Sequence, residues 1–279
     1  MEAIKGMARR RRTARRRSGL AETTRFLLIV FVAAVILRSF IIAPFVIPSG
    51  SMLPRMMIGD FLFVVKWPYG YSRFSIPFGL GSFEGRIFGS VPDRGDVAVF
   101  RNPAGEGDDD YVKRVIGLPG DTVQMRDGVL HLNGKAVPRV RVADFLMRIT
   151  PNSPCRTVDP DAARIVEDPD GSRYCAYARY RETLPGGRSY YVLDQIDGIA
   201  DDTQVFRVPP SHLFMMGDNR DDSMDSRFPR AAEGVGFLPQ DHLVGEALIT
   251  FFSTDGSAEW PKPWTWVSAA RWERIGETF

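Results

Sequence analysis

FVIPSGSMLP, residues 45 to 54, follows a long apolar run and turns without becoming loose. Ser49, Gly50 and Ser51 make a polar turn bracketed by Pro48 and Pro54, with apolar side chains before and after it. A linker leaving a bilayer ordinarily gains polar, flexible residues at such a point. This one stays apolar and stiff, so it reads as the entry into a folded domain, and the residues around it decide the architecture.

Upstream, Phe26 to Leu37 (FLLIVFVAAVIL) is unbroken apolar sequence. With Thr23, Thr24 and the continuation FIIAPFVI it reaches the ~20 residues that a helix needs to cross hydrocarbon. The run predicts a transmembrane helix over 23–42. Arg38 interrupts it near the outer end, where a long side chain reaches the headgroups while its stem stays in lipid. Residues 1 to 20 carry Lys5, Arg9 to Arg12 and Arg15 to Arg17 against Glu2 alone. Basic flanks stay in the cytoplasm, which makes 1–22 a cytoplasmic tail and places 43–279 outside. A cleaved secretory signal shares the basic-then-apolar pattern. No small-x-small cleavage site follows, because Ala43 has Ile41 at the outer position and Pro44 next to it, so retention as an anchor is expected.

The chain's 279 residues, 44% hydrophobic and 25% charged, are enough for a full core. Its net charge of +2 conceals an asymmetry: beyond residue 20 there are 28 basic and 33 acidic residues. That acidic remainder, with no binding fold in evidence, argues against a nucleic-acid role for the arginine block. FLFVVKW (61–67) and DVAVFR (96–101) are β-branched and aromatic runs bounded by Gly, Pro and Asp, and they read as strands. Thr122 to Met125 and Val129 to Leu132 flank an Arg-Asp-Gly turn, and Asn133-Gly134 marks a second hairpin. Further strands are expected at Ser189 to Leu193, His212 to Met216 and Ala247 to Phe252. No long 3.6-residue period follows the anchor and Gly plus Pro number 46, so the outer domain is expected to be mainly β. Residues 150–188 read as a mobile polar insert. Cys155 and Cys175 fall inside it, and in an oxidising compartment such a pair closes a disulfide. Tyr69, Tyr71, Phe74, Ile76, Phe78, Phe83, Phe88, Trp260, Trp264, Trp266 and Trp272 have two readings: caps of the core, or rings resting in the lipid headgroups.

A serine nucleophile needs a base. His131, His212 and His242 lie in no recognisable triad and read as structural or surface residues. Lysine is the other candidate, and there are only five lysines against 31 arginines. Lys113, in YVKRVIGLPGD (111–121), has apolar neighbours that would desolvate it and lower its pKa, whereas arginine keeps its proton. GDNRDDSMDSR (217–227) fails the EF-hand template, with Arg220, Ser223 and Pro229 at the third, sixth and twelfth positions from Asp218. Its alternating acids and arginines fit a self-paired scaffold, and no metal is expected.

Taken together, IPSGSMLP (47–54), RGDVAVFR (94–101), YVKRVIGLPGD and GDNRDDSMDSR, in this order behind an anchor, resemble the type I signal peptidases, which work by a Ser/Lys dyad. The resemblance implies an antiparallel β-rich catalytic domain behind one transmembrane helix. It implies Ser51 as nucleophile, Lys113 as general base, Ser49 with the Ser51 amide as oxyanion hole, and Ser223 orienting the lysine. Arg114 with Asp218, and Asp225 with Arg227, become bracing ion pairs. Phe45, Ile47, Pro48, Met52, Met56, Tyr111 and Val112 are expected to line pockets for small side chains. The partners implied are signal peptides of preproteins, the lipid bilayer of the bacterial inner membrane and, possible beside them, the translocation machinery; no cofactor is implied. Two rivals share some of these features: a Ser/Lys peptidase with another target, and a tethered β-domain that only binds. The connection after Arg227, FPRAAEGVGFLP, is longer than the family pattern.

Overall fold

The computed structural model describes residues 20–75, 83–103, 109–156, 164–259 and 261–279. Most of the basic tail, together with Ile76, Phe78 and Trp260, lies outside them. Helix α1 (Leu20–Ile41) is long and apolar enough to cross a membrane, three residues ahead of the expected start, and almost none of its surface is buried against protein. Its last turn, Leu37–Ile41, widens to a π-helix whose first capping N–H, that of Ile42, donates to Leu37. The chain then passes at once into strand β1 (Ile42–Val46), a strand that the apolar continuity of the sequence hides.

Strands follow in series: β2 (Asp60–Val65), the short pair β3 (Tyr71–Ser72) and β4 (Arg86–Ile87), then β5 (Val97–Arg101) and β6 (Asp110–Gly117). Next come β7 (Thr122–Arg126), β8 (Val129–Leu132) and β9 (Lys135–Ala136), joined by turns in which Asp127, Gly128, Asn133 and Gly134 all adopt positive φ. Two successive left-handed residues make the tight turn that matches strand twist, which is why these Asp-Gly and Asn-Gly pairs form hairpins. Beyond them lie β10 (Arg139–Arg141), β11 (Phe145–Arg148), β12 (Arg164–Glu167), β13 (Arg173–Tyr177), β14 (Arg179–Thr183) and β15 (Ser189–Leu193). The chain ends with β16 (Phe206–Arg207), β17 (His212–Met216), β18 (Leu238–Pro239), β19 (Leu243–Ser253) and a short helix α2 (Trp264–Ala269).

The main sheet is antiparallel with order β1-β2-β19-β5-β6-β17-β18. One layer beneath it buries Ile47, Met52, Met56, Leu62, Val64, Val97, Val99 and Val244. A second cluster packs Tyr69, Phe100, Val115, Leu213 and Met215. The β7–β9 sheet, joined by β16, closes a third core around Leu130, Leu132 and Phe214. The stretch read as a polar insert carries three strands. Within β13, Cys175 and Tyr177 are buried in a small core with Leu53, and Cys155 is disulfide-bonded to Cys175. Arginine-rich alternation, with few apolar residues per strand, hides this structure from a periodicity test.

Since the bridge closes a loop across 20 positions, replacing both cysteines by serine is expected to lower unfolding free energy by about 3 kcal/mol. Chemical denaturation with and without reductant measures it, with the native protein under reductant matching the variant.

Candidate active site

The turn between β1 and β2 is held at its base by backbone bonds, Ile47 N–H to Asp60 C=O at 2.8 Å and Gly59 N–H to Ile47 C=O at 3.0 Å. Ser51 sits near its tip, 7% exposed. Asn219 grips the tip from the 217–227 segment: its backbone N–H donates to Ser51 C=O at 3.0 Å and its side-chain amide to Gly50 C=O at 3.1 Å. Gly50 is not in the left-handed region; a Cβ there would crowd the Leu53 and Asp222 side chains at 3.3 and 3.4 Å.

Lys113 reaches the turn from β6. Its Nζ lies 2.7 Å from Ser51 Oγ, and the residue is 4% exposed. Burial strips water from the ammonium and lowers its pKa to about 8; Asp225, Asp222 and Asp218 oppose the shift. Ser49 Oγ stands 3.4 Å from Ser51 Oγ. Gly217 makes the close assembly possible: a Cβ there would fall 2.3 Å from Ser223 Oγ and 2.6 Å from Ser51 C=O.

Ser223 is buried beside the pair, and its hydroxyl donates to Asp225 Oδ2 at 2.8 Å, where the resemblance pointed it at the lysine. Asp225 also receives the Gly217 N–H and the Arg227 Nε and Nη2 groups. Burial alone would push its carboxyl up; Arg227 and these N–H donors hold it below the ordinary value. Arg114 forks onto Asp218 at 2.8 and 2.6 Å and stacks over Tyr190 at 4.4 Å. Behind this lies a pair that sequence reasoning missed, Arg220 forked onto Glu182 of β14 at 2.9 and 2.6 Å, with the Tyr190 hydroxyl donating to Glu182 at 2.7 Å. Glu182 sits in an unpatterned arginine-rich strand, so no local signal marks it. Asn219 was readable only as part of the GDNR block.

A cleft of about 460 Å³ opens over Ser51 and Lys113. Phe45, Ile47, Pro48, Met52, Tyr111 and Val112 line it, with Met224 and Phe228 beyond. Met56 does not: it has no exposed surface and packs in the core beneath the turn. Phe45 to Ser49 and Asp109 to Lys113 each contribute successive residues to the lining, joined by Ser51 and Met52 of the turn. Side chains alternate along a strand, so uninterrupted lining means that backbone edges face the cleft. β17 pairs with β6 only from Arg114 onward, leaving the first half of that edge open to an extended peptide. None of the three histidines lines the cleft; each ring bonds a backbone carbonyl of its own neighbourhood or of Arg101. Asp194, Asp201 and Asp221 bring carboxylates within 4.8 Å of one another; Arg139 is ion-paired with Asp194, and Asp201 and Asp221 accept the backbone N–H groups of Gly198 and Gln195.

Keeping an amine dry costs stability. The folded amine titrates near 8 and the free side chain near 10.5, so the unfolded chain binds more protons between those values. Stability therefore falls as pH drops from about 10.5 to about 8, and the full cost, about 3 kcal/mol, persists below that range. Lys113→Met is expected to raise unfolding free energy at pH 7 by about 1–3 kcal/mol, measured by chemical denaturation, the exposed need of the Ser51 hydroxyl offsetting part of it.

The model for the family described as "Signal peptidase, peptidase S26" matches residues 20–252. Signal peptidase I of Rickettsia typhi is 36% identical over 234 residues, covering 81% of this chain and 77% of that protein. The Rickettsia prowazekii enzyme of the same name gives the same values. A solved signal peptidase I from Enterococcus faecalis is 24% identical, aligned over 56% of this chain and 97% of that one, with a TM-score of 0.28. With a family model across most of its length and relatives of this identity, the chain belongs to the signal peptidase I family and is a serine endopeptidase.

Proposed function

We propose that the chain removes signal peptides from exported preproteins, with Ser51 as nucleophile, Lys113 as general base and an acyl-enzyme intermediate. The observation that carries the reading is a buried amine 2.7 Å from a hydroxyl on the wall of a peptide-sized cleft. Neutral Lys113 takes the Ser51 proton while Oγ attacks the scissile carbonyl. The Ser51 amide and the Ser49 hydroxyl donate to the oxyanion. Collapse breaks the C–N bond, and the Lys113 ammonium gives its proton to the leaving amine. Lys113 then deprotonates a water that hydrolyses the ester. Ser223 packs beside the dyad and limits where the amine can turn; Asp218, Asp225 and their arginines brace the segment that carries it.

The substrate is taken to pair as an extended strand between the Phe45–Ser49 and Asp110–Lys113 edges. Phe45, Ile47, Pro48, Met52, Tyr111 and Val112 then form the apolar wall for small side chains before the cut. Residues 1–22 are assigned to the cytoplasm, 23–42 to the bilayer and 43–279 to the far side, from the basic flank. Of the aromatics, Tyr69 is buried in the core, whereas Phe88, Trp264 and Trp272 are 87%, 69% and 60% exposed. We assign the exposed set to the lipid headgroup layer.

Ser51→Ala and Lys113→Ala are each expected to lower preprotein cleavage at least about a thousandfold, and Ser49→Ala about a hundredfold, mainly in kcat. Mass spectrometry of the new N-terminus reads the product; processing by both dyad variants at the native rate would refute the mechanism. Because the active amine is neutral, kcat/KM should rise with pH, about tenfold per unit below pH 8, and level off above it.

A further inference from the structure

A second cavity, about 710 Å³, lies on the other face of β6. Neighbouring strand residues point to opposite faces, so Lys113 looks into the cleft while Arg114 floors this second groove. Its cations fall into two sets. Arg114, Arg188 and Arg274 are paired with Asp218, Asp96 and Asp60. Arg55, Arg179 and Arg181 have no carboxylate partner among the described residues. Arg55 donates to the Thr278 carbonyl and lies over the Phe279 ring; Arg179 donates to the Ala143 carbonyl and stacks on Tyr191; Arg181 is exposed. Glu277, the one carboxylate side chain of the lining, is engaged by Arg274 at 3.1 Å. The wall thus presents net positive charge to whatever enters.

The backbone says what kind of anion fits. β15 is the edge of its sheet, pairing with β14 on one side only, and Ser189, Tyr190 and Tyr191 all line the groove. Three successive residues on one lining bring the strand edge itself to the surface of the groove. A bare phosphate or a lipid headgroup makes no use of a strand edge; an extended acidic peptide uses both edge and arginines. Pro54 and Arg55 line the groove three and four residues after Ser51, so at most about 10–14 Å of chain separates it from the nucleophile.

We propose that this arginine groove is an exosite for an acidic segment of the substrate, a few residues beyond the cut. The proposal rests on the peptidase reading above. Asp221 and Asp222 stand at the cleft wall next to Ser223 and repel acids placed directly after the scissile bond. The acidic residues therefore belong from about the fourth position onward, since three or four extended residues cover the about 10–14 Å between nucleophile and groove.

The test uses two peptides identical through the cut and the residues next to it, one then carrying three glutamates and the other three glutamines. With the detergent-solubilised full chain at low salt, the acidic peptide should show about a tenfold higher kcat/KM, mostly through KM. The ratio should shrink toward one at about 0.5 M salt and in the double variant Arg179→Gln/Arg181→Gln. A fluorescent glutamate peptide without a cleavage site should bind the native chain by anisotropy and not the double variant. A ratio near one at low salt, or no binding to the native chain, overturns the exosite while Ser51-dependent cleavage of both peptides leaves the peptidase reading standing. Failure to cut either peptide strikes that reading instead, and the anisotropy then decides the groove on its own. A ratio near one, with phosphatidylglycerol vesicles holding the native chain better than the double variant, gives the groove to lipid and sinks the proposal. If the double variant does not fold, the salt series on the native chain still decides.

Discussion

An amine removed from water titrates far below its usual range unless a carboxylate repairs the loss, and Lys113 is arranged so that the repair is incomplete. Three aspartates lie near enough to act on it, yet two are already committed: Asp218 to Arg114 and Asp225 to Arg227. Each such pair is close to neutral at a distance, so the field at Nζ stays weak and desolvation prevails. Burial therefore sets the direction of the Lys113 shift, and the nearby aspartates only temper it.

The 217–227 segment sets position. Asn219 and Gly217 meet the backbone of the Ser51 turn, and Arg220 reaches back to Glu182 and, through it, to Tyr190 under Arg114. The Ser51 turn, the Lys113 end of β6 and the 217–227 segment are three stretches of chain tied by buried hydrogen bonds and by the forked Arg114–Asp218 pair. Removing one partner of such a pair leaves an uncompensated charge, which makes the network rigid in operation even where its net contribution to stability is small. The strands of the former "insert" belong to this frame, since Glu182 and Tyr190 flank their last hairpin.

Lys113 and Arg114, adjacent in sequence, divide the molecule electrostatically. One faces a cleft lined by aspartates and apolar walls; the other faces a groove lined by arginines and tyrosines. The chain's choice of arginine over lysine is consistent with this division, for arginine stays charged when half-buried and stacks on aromatic rings.

Local patterns were enough to read the long apolar helix from its run, the hairpins from Asp-Gly and Asn-Gly, the long strands from their β-branched residues and Lys113 as a suspect from its apolar neighbours, while Ser51 was singled out through the resemblance that the four ordered blocks carry. These signals are local because each depends on a few neighbouring side chains or on the backbone freedom of one turn. The strand immediately after the helix, the β-structure of 164–183, Met56 turning inward, Ser223 bonding to Asp225, and the grip of Asn219 and Glu182 were decided only in the folded chain. Their partners lie from a few to more than a hundred residues away, and which of two polar neighbours a hydroxyl chooses, or which face a methionine takes, depends on distances that no periodicity encodes.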